Sequence, residues 1–109
     1  MNTVNFTGVT STNWQNIKGI EVATGIVERK IWAGNKGKRA VVYEFEAGAK
    51  FPGVDAHLTG PEQIFVISGV FNDGKNDHHA GSFINNPKGS AHIPQSEMGC
   101  IVLVTFPEG

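Results

Sequence analysis

Apolar residues along this chain fall in short runs that alternate with polar ones. From Ile20 to Trp32 the run IEVATGIVERKIW splits into Val27, Arg29 and Ile31, expected to face inward, and Glu28, Lys30 and Trp32, expected to face out. GNKGK supplies the turn after it, and RAVVYEFEAG then sets Val41, Tyr43 and Phe45 against Val42, Glu44 and Glu46, a ribbon with one wetter face. Further along, the pattern predicts an extended piece over 54–57, a Thr-Gly-Pro turn, and two strands over 63–67 and 69–71 broken at Ser68-Gly69. A turn cluster NDGKNDHHAG, a strand SFIN, a turn NPKGS, a short strand AHIP and a buried last strand CIVLVTF complete the series. Residues 1–16 are polar, with Val4, Phe6 and Trp14 as anchors, and read as an irregular lead-in or an edge strand. No apolar stripe at helical spacing persists, so roughly eight or nine short strands imply an all-β chain, a sandwich or a jelly-roll barrel.

The length of 109 residues suits one domain spanning 1–109, and folding at this size hides roughly 60–70% of the unfolded surface. Nine Lys and Arg against ten Asp and Glu, with no block of either sign, argue against nucleic acid and anionic membrane as partners. The first residues lack a basic start followed by an apolar run, and no stretch approaches ~18 consecutive apolar residues, so a cytoplasmic location is expected. One cysteine, Cys100, allows neither an internal disulfide nor a thiolate zinc site, and its place at the head of an apolar strand marks it as a small buried residue.

Histidine and carboxylate then become the side chains to follow, because together they bind divalent metals without thiolates. Asp55 and His57 stand two apart, so on an extended segment both face one way with Cα atoms roughly 6.5–7 Å apart. Glu62 follows a Gly60-Pro61 turn at the start of the next strand, and His92 follows the NPKGS turn. Taken singly, each is an ordinary solvated or packed residue. Taken jointly, all four sit at turns and strand edges of consecutive hairpins. Tyr43, Phe45, Phe51, Gln63 and Phe83 are candidates to line a mouth beside them, although a β core needs such residues anyway. His78 and His79 read as a solvated turn, Trp14 and Trp32 as cover for a sheet edge, and Arg29 and Arg39 as charged strand faces able to hold a substrate carboxylate.

The stretch Gly81-x5-Pro87-x-Gly89-x2-His92 resembles the second motif of the cupin superfamily, with Ser96 where an Asn is usual. Asp55-x-His57-x4-Glu62-x6-Gly69 is similar to the first motif, with Asp55 in place of a histidine and Gly48 one residue too far upstream. The phrases EQIFVISGVFND, AGSFINNPKGSAHIPQS and GCIVLV resemble the ChrR-like group, which includes the metal-binding domain of a zinc-containing anti-sigma factor. The likeness runs from about residue 40 to 105 and implies a double-stranded β-helix, the cupin jelly-roll barrel. It also implies a metal held by His57, Glu62 and His92, and a homodimer formed through edge strands that the N-terminal residues would help to cover.

With Asp55 the set has two nitrogen and two oxygen donors, which suits one divalent ion such as Fe(II), Zn or Mn, or a Ni acquired during purification. Asp55 serves as fourth ligand or as a base, or is too short to reach. Without a cation, Asp55 and Glu62 are expected to repel and one carboxyl to titrate high. Two functions follow from the resemblance. The first is a small metal enzyme, an iron dioxygenase or an isomerase acting on a small oxygenated molecule, with Asp55 and Glu62 in catalytic roles. The second is a metal- or ligand-binding sensory module without turnover.

Overall fold

The computed structural model describes residues 2–109. Eleven strands are found among them: β1 (Ile20–Ala23), β2 (Ile26–Ala33), β3 (Arg39–Phe45), β4 (Ala49–Lys50), β5 (Asp55–Ala56), β6 (Glu62–Asn72), β7 (Asp77–His79), β8 (Phe83–Asn86), β9 (Ala91–His92), β10 (Gln95–Ser96) and β11 (Cys100–Phe106). No α-helix occurs among the described residues, and no helix is long and apolar enough to cross a membrane. Every pairing is antiparallel, along the path β1-β2-β3-β11-β6-β10-β4, with β7 and β8 also on β6 and a separate β5-β9 pair.

β6 holds the fold together because it belongs to both walls. Its first half pairs with β8 and β11, and its end pairs with β7 and β10. The change happens at a bulge, where Ile101 opposes Ser68 but Val102 opposes Val66, leaving Ile67 as the extra residue. A bulge bends a strand and raises its twist, which lets one strand turn the corner between two sheets. The expected break at Ser68-Gly69 is therefore a bend within one strand of 11 residues. Gly69 sits at the bend with φ +75°, and a Cβ there would meet the Gly99 carbonyl and lie 2.8 Å from the Cα of Cys100.

Between the walls lies the core of Ile26, Val41, Phe45, Ile64, Val66, Phe71, Cys100, Val102 and Val104. Phe45 and Phe71 meet edge to face with centroids 5.9 Å apart, joining one wall to the other. Burial pushes the Cys100 thiol up to about 11, so it packs as an unreactive small residue.

Three expectations need correction. In β2 the inward series is Ile26 and Glu28, since Ile26 pairs with Phe45 and Glu28 with Tyr43. A register one residue away from the expected one sends Val27 and Arg29 outward, because neighbouring side chains on a strand take opposite faces. Arg29 there pairs with Glu44, bonds the Ile17 carbonyl through Nε at 3.0 Å and stands over the Trp14 ring. Its work is to fasten the lead-in to the sheet. The tail of NDGKNDHHAG forms strand β7, so His78 and His79 face opposite ways, His78 against Asp73 at 2.8 Å and His79 exposed. Of the lead-in anchors, Trp14 starts a 3-10 turn beside β2, whereas Val4 and Phe6 are 82% and 73% exposed and anchor nothing in their own chain.

Candidate metal centre

The Pro87-x-Gly89 turn brings the two halves of the site together. Ser90 N–H bonds the Pro87 carbonyl at 3.0 Å, which closes the turn, and Gly89 takes φ +92°, a conformation open to glycine at little cost. The turn is then clasped onto His57: Gly89 N–H bonds the His57 carbonyl at 2.8 Å, and His57 N–H bonds the Ser90 carbonyl at 2.9 Å. These bonds extend the β5-β9 ladder, in which Asp55 lies directly opposite His92. Asp55, His57 and His92 consequently share one face, because His57 is two residues on from Asp55. Glu62, the first residue of β6, enters from the neighbouring wall.

The four side chains bring one ligating atom each to within 4.8 Å of one another. His92 Nε2 lies 3.2 Å from Asp55 Oδ2 and 3.3 Å from Glu62 Oε1, and His57 Nε2 lies 3.5 Å from Glu62 Oε1. An ion at its usual 2.0–2.2 Å from such donors spaces neighbouring ligand atoms about 3.0 Å apart in octahedral and about 3.4 Å in tetrahedral geometry. The three shortest spacings lie close to that range, within a set whose atoms are all within 4.8 Å of one another. His57, Glu62 and His92 are buried and Asp55 half-buried. His57 Nε2 is buried without a hydrogen-bond partner, an arrangement that costs free energy unless another group engages it. The donor set therefore fits a divalent ion.

Electrostatics within the cluster decides the expectation for one of its two carboxyls. Asp55 does not titrate high: its hydrogen bond with His92 holds it below the usual carboxylate range, against the opposing effect of burial. Burial pulls His92 down, but hydrogen bonds and charge from Asp55 and Glu62 outweigh it and push the imidazole up to about 9. A proton on His92 would partly neutralise the two carboxylates in the place of a cation, while leaving its buried Nδ1–H without an acceptor. The raised His92 value stabilises the metal-free fold fully below the unfolded value near 6.5, and that contribution fades as pH rises through about 9. The lowered Asp55 contributes above its unfolded value of 3.8 and is lost as pH falls below it.

With the His92 imidazole held up to about 9, metal uptake near neutral pH competes with a proton on it. We expect zinc affinity of the metal-free protein to rise about tenfold per pH unit from pH 7 toward pH 9, with one proton released per ion. Calorimetry in buffers of different ionisation enthalpy checks this, and a flat affinity across the range contradicts it.

A cavity of about 230 Å³ opens beside the cluster, lined by Asp55, Glu62 and His92 together with Tyr43, Phe45 and Phe51. Two expected lining residues are elsewhere. Phe83 is 64% exposed, and it opposes Phe65 on the outer surface. Gln63 alternates with inward Glu62 and Ile64 and reaches Asn85 and Thr105. Residues next to an inward position on a strand must face out. Glu28, which the sequence reading placed outside, lines the cavity and accepts the Tyr43 hydroxyl at 2.8 Å. Counting the alternation from Ile26, just after the Gly25 turn, would have found it.

The model of the ChrR cupin-like domain matches residues 6–107. The chain belongs to that family. No curated protein matches it. Among solved structures it resembles the anti-sigma factor ChrR of Rhodobacter sphaeroides in its complex with SigE, at 20% identity and TM-score 0.73, over 86% of this chain and 51% of that one. The cupin-like chain thus spans about half the length of ChrR. An RmlC-like cupin from Shewanella frigidimarina matches at 22% identity and TM-score 0.76, over 90% and 89% of the two chains. An acetylacetone dioxygenase from Acinetobacter johnsonii matches at 15% identity and TM-score 0.76, over 98% and 76%. At these identities the likeness is one of fold, and it establishes the cupin architecture expected from the motifs.

Proposed function

We propose that this ChrR-like cupin holds one divalent metal ion on His57, Glu62 and His92, with Asp55 as fourth ligand or base. The reading is that it acts on a small oxygenated molecule as an iron dioxygenase or an isomerase. The observation that carries it is the convergence of four ligating atoms, one of them the unpartnered His57 Nε2, with the other three residues lining a cavity. A bound ion there would supply Lewis acidity and, as iron, access to O₂. The chain's own contribution is to orient the donors through the β5-β9 ladder, exclude water with Phe45, Phe51 and Phe71, and keep a carboxylate at Asp55 to take up a proton. The partner is then a small-molecule substrate entering from the cavity side.

Kinship to ChrR favours a second reading, a metal- or ligand-binding sensory module without turnover. Iron-loaded protein tested for O₂ consumption over neutral diketones, thiols and catechols separates the two. Turnover that disappears in His57→Ala supports the enzyme; stoichiometric metal with no turnover supports the module.

We also infer a homodimer. β1 ends the sheet path and leaves Ile20 and Val22 exposed, while Val4, Phe6 and Val9 are exposed on the arm before it. A twofold pair lets each arm cover the other copy's edge, since open edges and apolar arms are liabilities alone. Light scattering after gel filtration at micromolar concentration should give the mass of two chains, reduced to one when Val4, Phe6 and Val9 are all changed to Ser. A single-chain mass for the unaltered protein rejects this assembly.

A further inference from the structure

The cavity beside the histidines has a second polar pole that the ligand cluster does not use. Its walls are largely apolar, with Phe45, Phe51, Ile64, Phe71 and Val102 among them. An apolar cavity of about 150 Å³ accepts a benzene ring, so the 230 Å³ here holds one ring with a substituent. Glu28 reaches into this space from β2 directly opposite Tyr43 on β3, and the Tyr43 hydroxyl donates to its Oε2 at 2.8 Å. Burial first, then the bond to Glu28 and the charges of Glu28 and Glu62, hold the Tyr43 phenol well above its ordinary value, against a smaller pull from Arg39. Tyr43 therefore stays a donor and clamps the carboxylate in place.

Charge decides what such a space admits. Glu28, Asp55 and Glu62 all line it against one histidine, His92, and no Lys or Arg does, so a proton on His92 still leaves the carboxylates in excess. Arg39 stacks its guanidinium on the Phe106 ring, 3.7 Å from the centroid, and bonds the Gly37 carbonyl. Lys30, on a side chain 68% exposed, forms only a loose, solvent-screened ion pair with Glu28 Oε1 at 3.9 Å from outside the cavity. A dication on the cluster leaves one of the three carboxylates uncompensated. An incoming carboxylate meets like charge in a poorly hydrated space, whereas a hydroxyl or ammonium finds an ionised acceptor, the stronger kind of hydrogen bond.

We propose that Glu28, positioned by Tyr43, determines which ligand this cavity takes: a small, mostly apolar molecule that is neutral or cationic and presents a hydroxyl or amine donor, in preference to a free carboxylic acid. The assignment rests on reading the cavity as the ligand site, and it deepens that reading by naming the ligand class.

Benzyl alcohol and benzoate, a neutral donor and an anion on one ring, are the probes. They are titrated calorimetrically into metal-free protein, where benzoate has no ion to ligate, and again into the zinc form, which has no redox chemistry. The metal-free protein should bind benzyl alcohol at least about tenfold more tightly than benzoate, and Glu28→Gln, which keeps an acceptor for Tyr43 but removes the charge, should shrink that ratio about tenfold in both forms. Tyr43→Phe should narrow the ratio severalfold; a merely structural role would weaken both probes together and leave the ratio unmoved. Equal or tighter benzoate binding by the metal-free protein, an unchanged ratio in Glu28→Gln, or no measurable binding of either probe overturns the proposal. Zinc content is measured on the same samples. A chain that takes no zinc yet prefers the alcohol refutes the metal centre and leaves Glu28 standing, and zinc without preference does the opposite.

Discussion

Alanine in place of His92 is expected to strip the protein of its metal. His92 Nε2 lies between Asp55 and Glu62, at 3.2 Å and 3.3 Å, so its removal takes out the donor nearest to both carboxylates. Loss of an outer partner of a ligand already costs about 10–100-fold in metal affinity, and loss of a ligand costs more. His57→Ala should do the same, because it removes the nitrogen that is buried with no other partner. Protein prepared without a histidine tag and assayed by mass spectrometry of its elements should carry about one ion per chain, and each variant below a tenth of that. Asp55→Ala is expected to lower occupancy less, since its side chain is 37% exposed whereas that of His92 is 5% exposed. Equal metal in wild type, His57→Ala and His92→Ala would sink the site. Circular dichroism on the same samples separates loss of metal from loss of fold.

The second large effect is structural. Gly69→Ala should destabilise the fold by about 3–5 kcal/mol, because the new methyl collides with backbone as well as demanding a left-handed conformation. Neither colliding group can swing away: the Gly99 carbonyl accepts from Val70 N–H, and Cys100 is held opposite Gly69 in the ladder. For a domain of this size each kcal/mol lowers Tm by roughly 4–8 °C, so a fall of at least about 12 °C is expected. Gly89→Ala is the useful contrast. Its φ of +92° is also left-handed, yet no atom lies within 4 Å of the added Cβ, so the cost is limited to strain, about 1–2 kcal/mol. Thermal melts that put the two variants within 3 °C of each other would contradict the collision argument, given that a kcal/mol moves Tm by roughly 4–8 °C.

The β architecture was legible because its marks are local, and the resemblance to the cupin motifs then favoured a jelly-roll barrel over a sandwich. The Pro87-x-Gly89 turn, the interruption at Ser68-Gly69 and the series Val41, Tyr43 and Phe45 each follow from a few neighbouring residues. The four clustered residues were legible for a related reason, since each stands next to a turn that limits where it can point. The misplaced strand faces have one physical source. In β2 the side-chain period is two, so an alternation counted from Val27 places Arg29 inside and Glu28 outside, whereas the observed one starts from Ile26. Gln63 and Phe83 were misassigned by the same mechanism, as both alternate with true inward neighbours. Chain alternation states that faces differ; it does not state which one is inner. The short strands β4, β5, β9 and β10 are two residues each, too brief for any period to register.

By itself, the order of residues determined an all-β chain, the turns that punctuate it, and the two histidines and two carboxylates worth following. Those are properties of spacing and of backbone preference, and they survive without knowledge of distant partners. Tertiary structure decided the rest. It set the register that turns Glu28 toward Tyr43, the hydrogen bond with His92 that holds Asp55 below the usual carboxylate range, and the clasp of Gly89 and Ser90 on His57 that brings positions 35 residues apart onto one face. Charge and hydrogen bonding act through space, so which carboxylates share a cavity emerges only when the walls have closed.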